Sequence, residues 1–130
     1  MKRVCEITGT IINGLGKGSL FIPLYETKIE KVLHFKPFQG TLNLALDQRN
    51  LEKYQEQIQK KDKKDKQTVP PFQHFGKITL VPVTIKHIKN AAIIIPEKTT
   101  HSKNIVEIIA DQEIKKVLHK KENETLTFSL

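Results

Sequence analysis

Cysteine is almost missing from this chain. Cys5 stands alone, which excludes an intrachain disulfide framework and fits a reducing compartment; it reads as a small apolar strand residue. Tryptophan is absent and aromatics make up 6% of residues, so a stacking platform for single-stranded bases has little to be built from. No apolar run approaches the roughly 18 residues a membrane-spanning helix needs. Met1-Lys2-Arg3 runs into Val4-Cys5-Glu6 without a signal-peptide apolar region, so the expectation is a soluble, cytoplasmic protein with no membrane partner. His34, His74, His87, His101 and His119 show no metal-ligand spacing and no cysteine accompanies them, which disfavours zinc. Negative charge is also scarce: 14 acidic against 22 basic side chains leave a net charge of +8, favouring an anionic partner without choosing among nucleotide, nucleic acid and acidic surface.

A chain of 130 residues suits one domain, residues 1–130. Much of the basic excess lies in Lys60-Lys61-Asp62-Lys63-Lys64-Asp65-Lys66, read as a flexible, solvated excursion around residues 59–69. Alternating, β-branched stretches predict strands over residues 4–12, 41–46, 77–86, 91–95, 105–110 and 125–130, with a short one at Leu20-Phe21-Ile22. Pro82 marks its strand as an edge or a bulge. Helical spacing is visible over 25–33 and 51–59, and Asp111 reads as the N-cap of a helix running to Leu118. Many short strands with few helices imply a mainly β protein, a small barrel or sandwich.

Three segments carry chemistry. Asn13-Gly14-Leu15-Gly16-Lys17-Gly18-Ser19 follows a strand, and its glycines allow successive N–H groups to converge on phosphate oxygens beside the Lys17 charge. The same spelling suits a tight turn, and it matches neither a Walker A loop nor the dinucleotide fingerprint. In Gly40-Thr41-Leu42-Asn43-Leu44, Thr41 and Asn43 are two apart on a strand and share a face, offering a hydroxyl and an amide carbonyl as hard oxygen ligands for Mg²⁺. An ordinary half-polar strand face would look the same. The third segment, Pro96-Glu97-Lys98-Thr99-Thr100-His101, precedes a strand whose single carboxylate, Glu107, sits among Ile105, Val106, Ile108 and Ile109. Such a carboxylate is hydrogen-bonded, functional, or faces solvent on an edge strand.

In order and spacing these segments resemble the archaeal CTP-dependent riboflavin kinases. Gly14-Leu15-Gly16-Lys17-Gly18, Pro37-Phe38-Gln39-Gly40-Thr41-Leu42-Asn43 and Ile95-Pro96-Glu97-Lys98-Thr99-Thr100-His101 are the specific parts, and the likeness extends over residues 9–21, 35–46, 75–83 and 91–110. The resemblance implies a compact six-stranded cradle-loop β-barrel with short peripheral helices. It also implies transfer of the γ-phosphoryl of CTP to the 5′-hydroxyl of riboflavin, giving FMN and CDP. By the same resemblance Gly14, Leu15, Gly16, Lys17, Gly18 and Ser19 would wrap the nucleotide phosphates, and Gln112, Glu113, Ile114 and Lys115 would line the nucleotide site. Thr41 and Asn43 would hold Mg²⁺, while Thr99 and Glu107 would contact the flavin, Glu107 serving also as the group that orients or deprotonates the attacking hydroxyl. A monomer is expected.

This chain departs from the family pattern in two places: Glu113 and Lys115 replace a basic residue and an arginine, and Glu122-Asn123-Glu124 stands where a Gly-Asp turn is usual. Two other readings use the same residues, a flavin- or nucleotide-binding barrel without catalysis and a nucleic-acid-binding barrel. The glycine cradle and the Thr-x-Asn pair count against the last, because nonspecific phosphate contact requires neither.

Overall fold

The computed structural model describes residues 4–13, 18–61, 66–70, 76–97 and 102–130. The strands are β1 (Glu6–Ile12), β2 (Leu42–Ala45), β3 (Gln67–Val69), β4 (Ile78–Ile85), β5 (Ile88–Pro96), β6 (Ile105–Ala110) and β7 (Thr125–Ser129). The helices are α1 (Gly18–Leu33), α2 (Gln48–Lys60) and α3 (Ile114–Val117).

The strands pair in the order β3-β4-β5-β6-β2-β1-β7, and a further pairing of Thr84 with Ser129 joins β4 to β7. That contact closes β4, β5, β6, β2, β1 and β7 into a six-stranded antiparallel barrel, leaving β3 as an appended edge. Closure removes the exposed strand edges that an open sheet would offer to other chains.

Alternation along each strand explains the interior. Ile7 and Ile11, Leu42 and Leu44, Val106 and Ile108, and Leu126 and Phe128 all point into one buried cluster. An eight-stranded barrel is about wide enough for side chains alone to fill it, so six strands leave no lumen for a ligand. Any binding site therefore has to lie at the barrel ends or on its outer face. Gly9 belongs to this packing: a Cβ there would come within 2.9 Å of Leu44 Cβ and Leu46 Cδ2.

Outside the barrel a second cluster joins Tyr25 and Ile29 of α1 to Val69, Ile78, Leu80, Ala92, Ile94 and Ile109. These helical residues, with Val32 and Leu33, recur at the spacing of one helix face. The strand expected at Leu20-Phe21-Ile22 is corrected here: those residues lie within α1. A three-residue apolar run carries no alternation of its own, and it is continuous with the helical pattern that follows.

α2 lies across one barrel end. Asp47 caps it by accepting the Asn50 N–H at 2.8 Å, a bond that also holds the Asp47 carboxyl below the usual carboxylate range. Asn50 Oδ1 accepts the Thr8 N–H at 2.9 Å, tying the helix to β1, while Leu51, Tyr54 and Ile58 pack on the core.

Residues 67–69 of the expected excursion form β3 instead, and residues 62–65 lie outside the described region. Pro82 occupies the gap on β4 between the β3 pairing, which ends at Leu80, and the β7 pairing at Thr84. A missing N–H costs no ladder bond there. Asp111 is not the cap of α3. Glu113 holds the N-cap position without a side-chain bond, while Asp111 accepts from Asn90 Nδ2 at 3.0 Å.

Candidate functional site

The register brings the second and third chemical segments together. Asn43 of β2 stands directly opposite Glu107 of β6, and on its other side opposite Ile12 of β1. Directly opposed residues have Cβ atoms about 4.5–5.5 Å apart, so the amide and the carboxylate share one spot on the barrel's outer face. Continuing the row, Glu107 meets Ile94 of β5, which α1 covers. The polar pair thus borders an apolar patch that fixes the strands on one side. β6 pairs with both β2 and β5, so Glu107 does not lie on a solvated edge strand.

Asn43 is the buried polar residue of the described region, 5% exposed. Its Nδ2 reaches Thr41 Oγ1 at 3.4 Å, a long contact, and its Oδ1 is buried with no hydrogen-bond partner among the described residues. An orphaned buried carbonyl oxygen costs stability and calls for a ligand. Asn43 Oδ1 and Thr41 Oγ1, from residues two apart on the chain, offer two hard, neutral oxygens, although it is the amide nitrogen that faces the hydroxyl here. That donor set fits Mg²⁺, which coordinates oxygen and takes further ligands from water and phosphate. Among the described residues no three His, Cys, Asp or Glu side chains gather into an alternative metal group.

Two cavities flank this pair. One, of 180 Å³, is lined by Phe38, Gly40 and Thr41 together with Gln112, Glu113, Ile114 and Lys115. The other, of 260 Å³, is lined by Glu107 with Tyr54 and Gln55 of α2, the end of β5 through Pro96, and Ser102. Thr41 therefore belongs to the first cavity and Glu107 to the second; Asn43 lines neither and is linked to Glu107 by the β2–β6 register. Burial pushes the Tyr54 phenol up to about 12.

Of the first chemical segment, Gly14, Leu15, Gly16 and Lys17 lie outside the described residues, as does Thr99. Their flanks are placed: β1 ends at Ile12, opposite Asn43, and α1 begins at Gly18 and continues through Ser19. The first turn of a helix presents N–H groups without intrahelical partners, a favourable end for an anion.

Three contributors were not legible as site residues beforehand. Tyr54 and Gln55 sit in a segment whose helical spacing is readable but whose place beside the Glu107 cavity depends on long-range packing, including the Asn50 bond to β1. Phe38 was visible only as part of a motif; no local signal says that its ring reaches the Thr41 cavity.

The fold and site together define a class of protein, a closed antiparallel β-barrel with a pair of neutral oxygen donors on its outer face and cavities lined by Thr41 and by Glu107. Comparison with known proteins narrows that class. A family model named CTP-dep_RFKase, described as "Domain of unknown function DUF120", matches residues 11–130. A riboflavin kinase of Saccharolobus solfataricus is 33% identical over 96% of this chain and 73% of its own length. One from Methanococcus maripaludis is 37% identical over 87% of this chain and 90% of its own. One from Methanobrevibacter smithii is 31% identical over 94% and 97% respectively. The chain belongs to the archaeal CTP-dependent riboflavin kinase family.

Proposed function

We propose that this protein is a riboflavin kinase that transfers the γ-phosphoryl of CTP to the riboflavin 5′-hydroxyl, giving FMN and CDP. The observation that carries the reading is Asn43, whose side-chain carbonyl has no hydrogen-bond partner among the described residues, standing opposite Glu107 in the β2–β6 register, with one cavity lined by Thr41 and another by Glu107. Phosphoryl transfer asks little of a protein beyond aligning donor and acceptor and neutralising charge on the moving group. Two cavities and a cation clip suit that task. Family membership and three relatives named riboflavin kinase support the same assignment.

In this reading the nucleotide occupies the Thr41 cavity, lined by Gln112 to Lys115, and its phosphates run toward Gly14 to Ser19 and the start of α1. Thr41 and Asn43 hold Mg²⁺, which when bound supplies charge neutralisation on the phosphate oxygens. The flavin occupies the α2 side, contacted by Thr99 and Glu107. Glu107 accepts the proton of the 5′-hydroxyl while the hydroxyl oxygen bonds to the γ-phosphorus, the bond from that phosphorus to the bridging oxygen breaks, and CDP leaves with the electron pair. Selection of CTP is assigned to the edge of the nucleotide cavity, where the Glu113 carboxylate suits the exocyclic amino group of cytosine.

The test is incubation with riboflavin, Mg²⁺ and each nucleoside triphosphate in turn, with FMN separated from riboflavin. FMN formed with CTP and not with ATP is expected. Absence of FMN with every triphosphate would overturn the kinase assignment, and FMN with ATP alone would overturn the donor.

A further inference from the structure

Phe38 and Val4 are the large apolar side chains that the described residues leave exposed; Phe38 is exposed at 42%. Scattered apolar exposure is ordinary, but the backbone that carries this ring is held in place. Pro37 beside it is buried, and the Phe38 N–H donates to the Ala110 carbonyl at 2.7 Å, fixing the backbone to the end of β6. Beneath the ring lies Gly40 at φ 150°, where a Cβ would stand 3.4 Å from Phe38 Cε1. A side chain at residue 40 would be strained by the positive φ, while its Cβ would only touch the ring at ordinary van der Waals distance.

The ring forms part of the wall of the 180 Å³ cavity with Thr41, Gln112 and Glu113. An exposed aromatic ring on an anchored backbone, beside hydrogen-bonding side chains and in the same cavity wall as Thr41, matches the two needs of a nucleobase: a flat surface for its π-face and polar groups for its edge. A peptide or lipid segment would need a longer apolar trough than one ring supplies.

We propose that Phe38 is the stacking platform for the base of the nucleotide donor. The proposal rests on the kinase reading and adds a binding residue to it. Because every base has a π-face, the platform sets affinity for nucleotides in general, and discrimination among bases falls to Gln112 and Glu113 at the edge.

Calorimetric titration of the full chain with CDP and Mg²⁺, without flavin, tests the platform directly. Phe38→Ala is expected to weaken CDP binding about 5- to 100-fold while leaving the riboflavin KM unchanged. Phe38→Trp should restore affinity and Phe38→Leu should not, since leucine keeps apolar bulk and lacks the π-face. The exposed position makes all three variants fold-neutral, which thermal melts verify. CDP binding by Phe38→Leu as tight as wild type, or equal loss in the leucine and tryptophan variants, would overturn the proposal, as would wild-type protein that does not bind CDP. Wild-type protein that binds CDP yet forms no FMN would sink the kinase reading alone, with the platform then decided by the leucine–tryptophan comparison.

Discussion

Replacing Asn43 by leucine should make the ligand-free protein more stable and inactive. The side chain is 5% exposed, its Oδ1 has no hydrogen-bond partner among the described residues, and its Nδ2 contact to Thr41 Oγ1 is long at 3.4 Å. A buried polar atom left unpaired costs about 1–3 kcal/mol, whereas an apolar group of the same shape carries no such cost. Leucine closely matches asparagine in shape, so Asn43→Leu should recover roughly that amount. For a chain of 130 residues, each kcal/mol shifts Tm by about 3–5 °C, so the gain is roughly 3–15 °C. The assay is a thermal melt in EDTA, repeated with CDP and Mg²⁺. Wild type should gain stability with the metal–nucleotide pair, about 2.7 kcal/mol at a hundredfold excess over Kd, and the variant should lose the metal-dependent part of that gain. A variant that melts below wild type in EDTA, or that keeps the full metal-dependent gain, would refute the claim that Asn43 is held unpaired for a cation. A stabilising substitution that abolishes function is the expected sign of a site maintained against local stability.

Other consequences can be checked independently. Glu107→Gln should fold normally and lower kcat about 10²–10⁴-fold with riboflavin still bound, because the amide cannot take the hydroxyl proton; steady-state kinetics alongside flavin binding separate the two effects. Gly9→Ala should destabilise by about 1–3 kcal/mol in urea unfolding, since its Cβ would lie 2.9 Å from Leu44 Cβ inside the filled barrel. Tyr54 has an ordinary pKa of 10.0 and is pushed up to about 12 by burial, so below pH 10 both folded and unfolded chains keep the proton and no pH dependence arises. Between pH 10 and 12 the unfolded chain ionises first, and wild type should lose up to about 2–3 kcal/mol that Tyr54→Phe does not lose, as read from denaturant midpoints across that window.

What could be read from the sequence follows the range of the forces involved. Alternation is local, so the inward set Leu42, Leu44 and Leu46 and the outward position of Asn43 were legible, and the structure buries those three leucines in one cluster. The six-stranded barrel came from the family resemblance and not from periodicity, which left barrel and sandwich open. Leu20-Phe21-Ile22 was misread because three apolar residues fit either period and only the packing of Tyr25 and Ile29 decides. Asp111 has the chemistry of a cap but is held by Asn90, 21 positions away, a partner that local reasoning cannot supply.

The site shows the same division. Each of Thr41, Asn43 and Glu107 could be proposed from residue type, yet their convergence depends on the β2–β6 register between segments distant in the chain. Whether Glu107 faced solvent also depended on which strands flank it, and β6 has a neighbour on both sides. Scarcity of aromatics argued against a base-stacking surface in general; it said nothing against one well-placed ring at Phe38.

The central claim is where a metal and its two substrates sit. A crystal grown with CDP, FMN and Mn²⁺ in place of Mg²⁺ would locate the ion by anomalous scattering. The ion is expected within coordination distance of Asn43 Oδ1 and Thr41 Oγ1, CDP on the Gln112–Lys115 side and the flavin beside Glu107. An ion bound elsewhere, or a flavin on a face of the barrel away from Glu107, would contradict it.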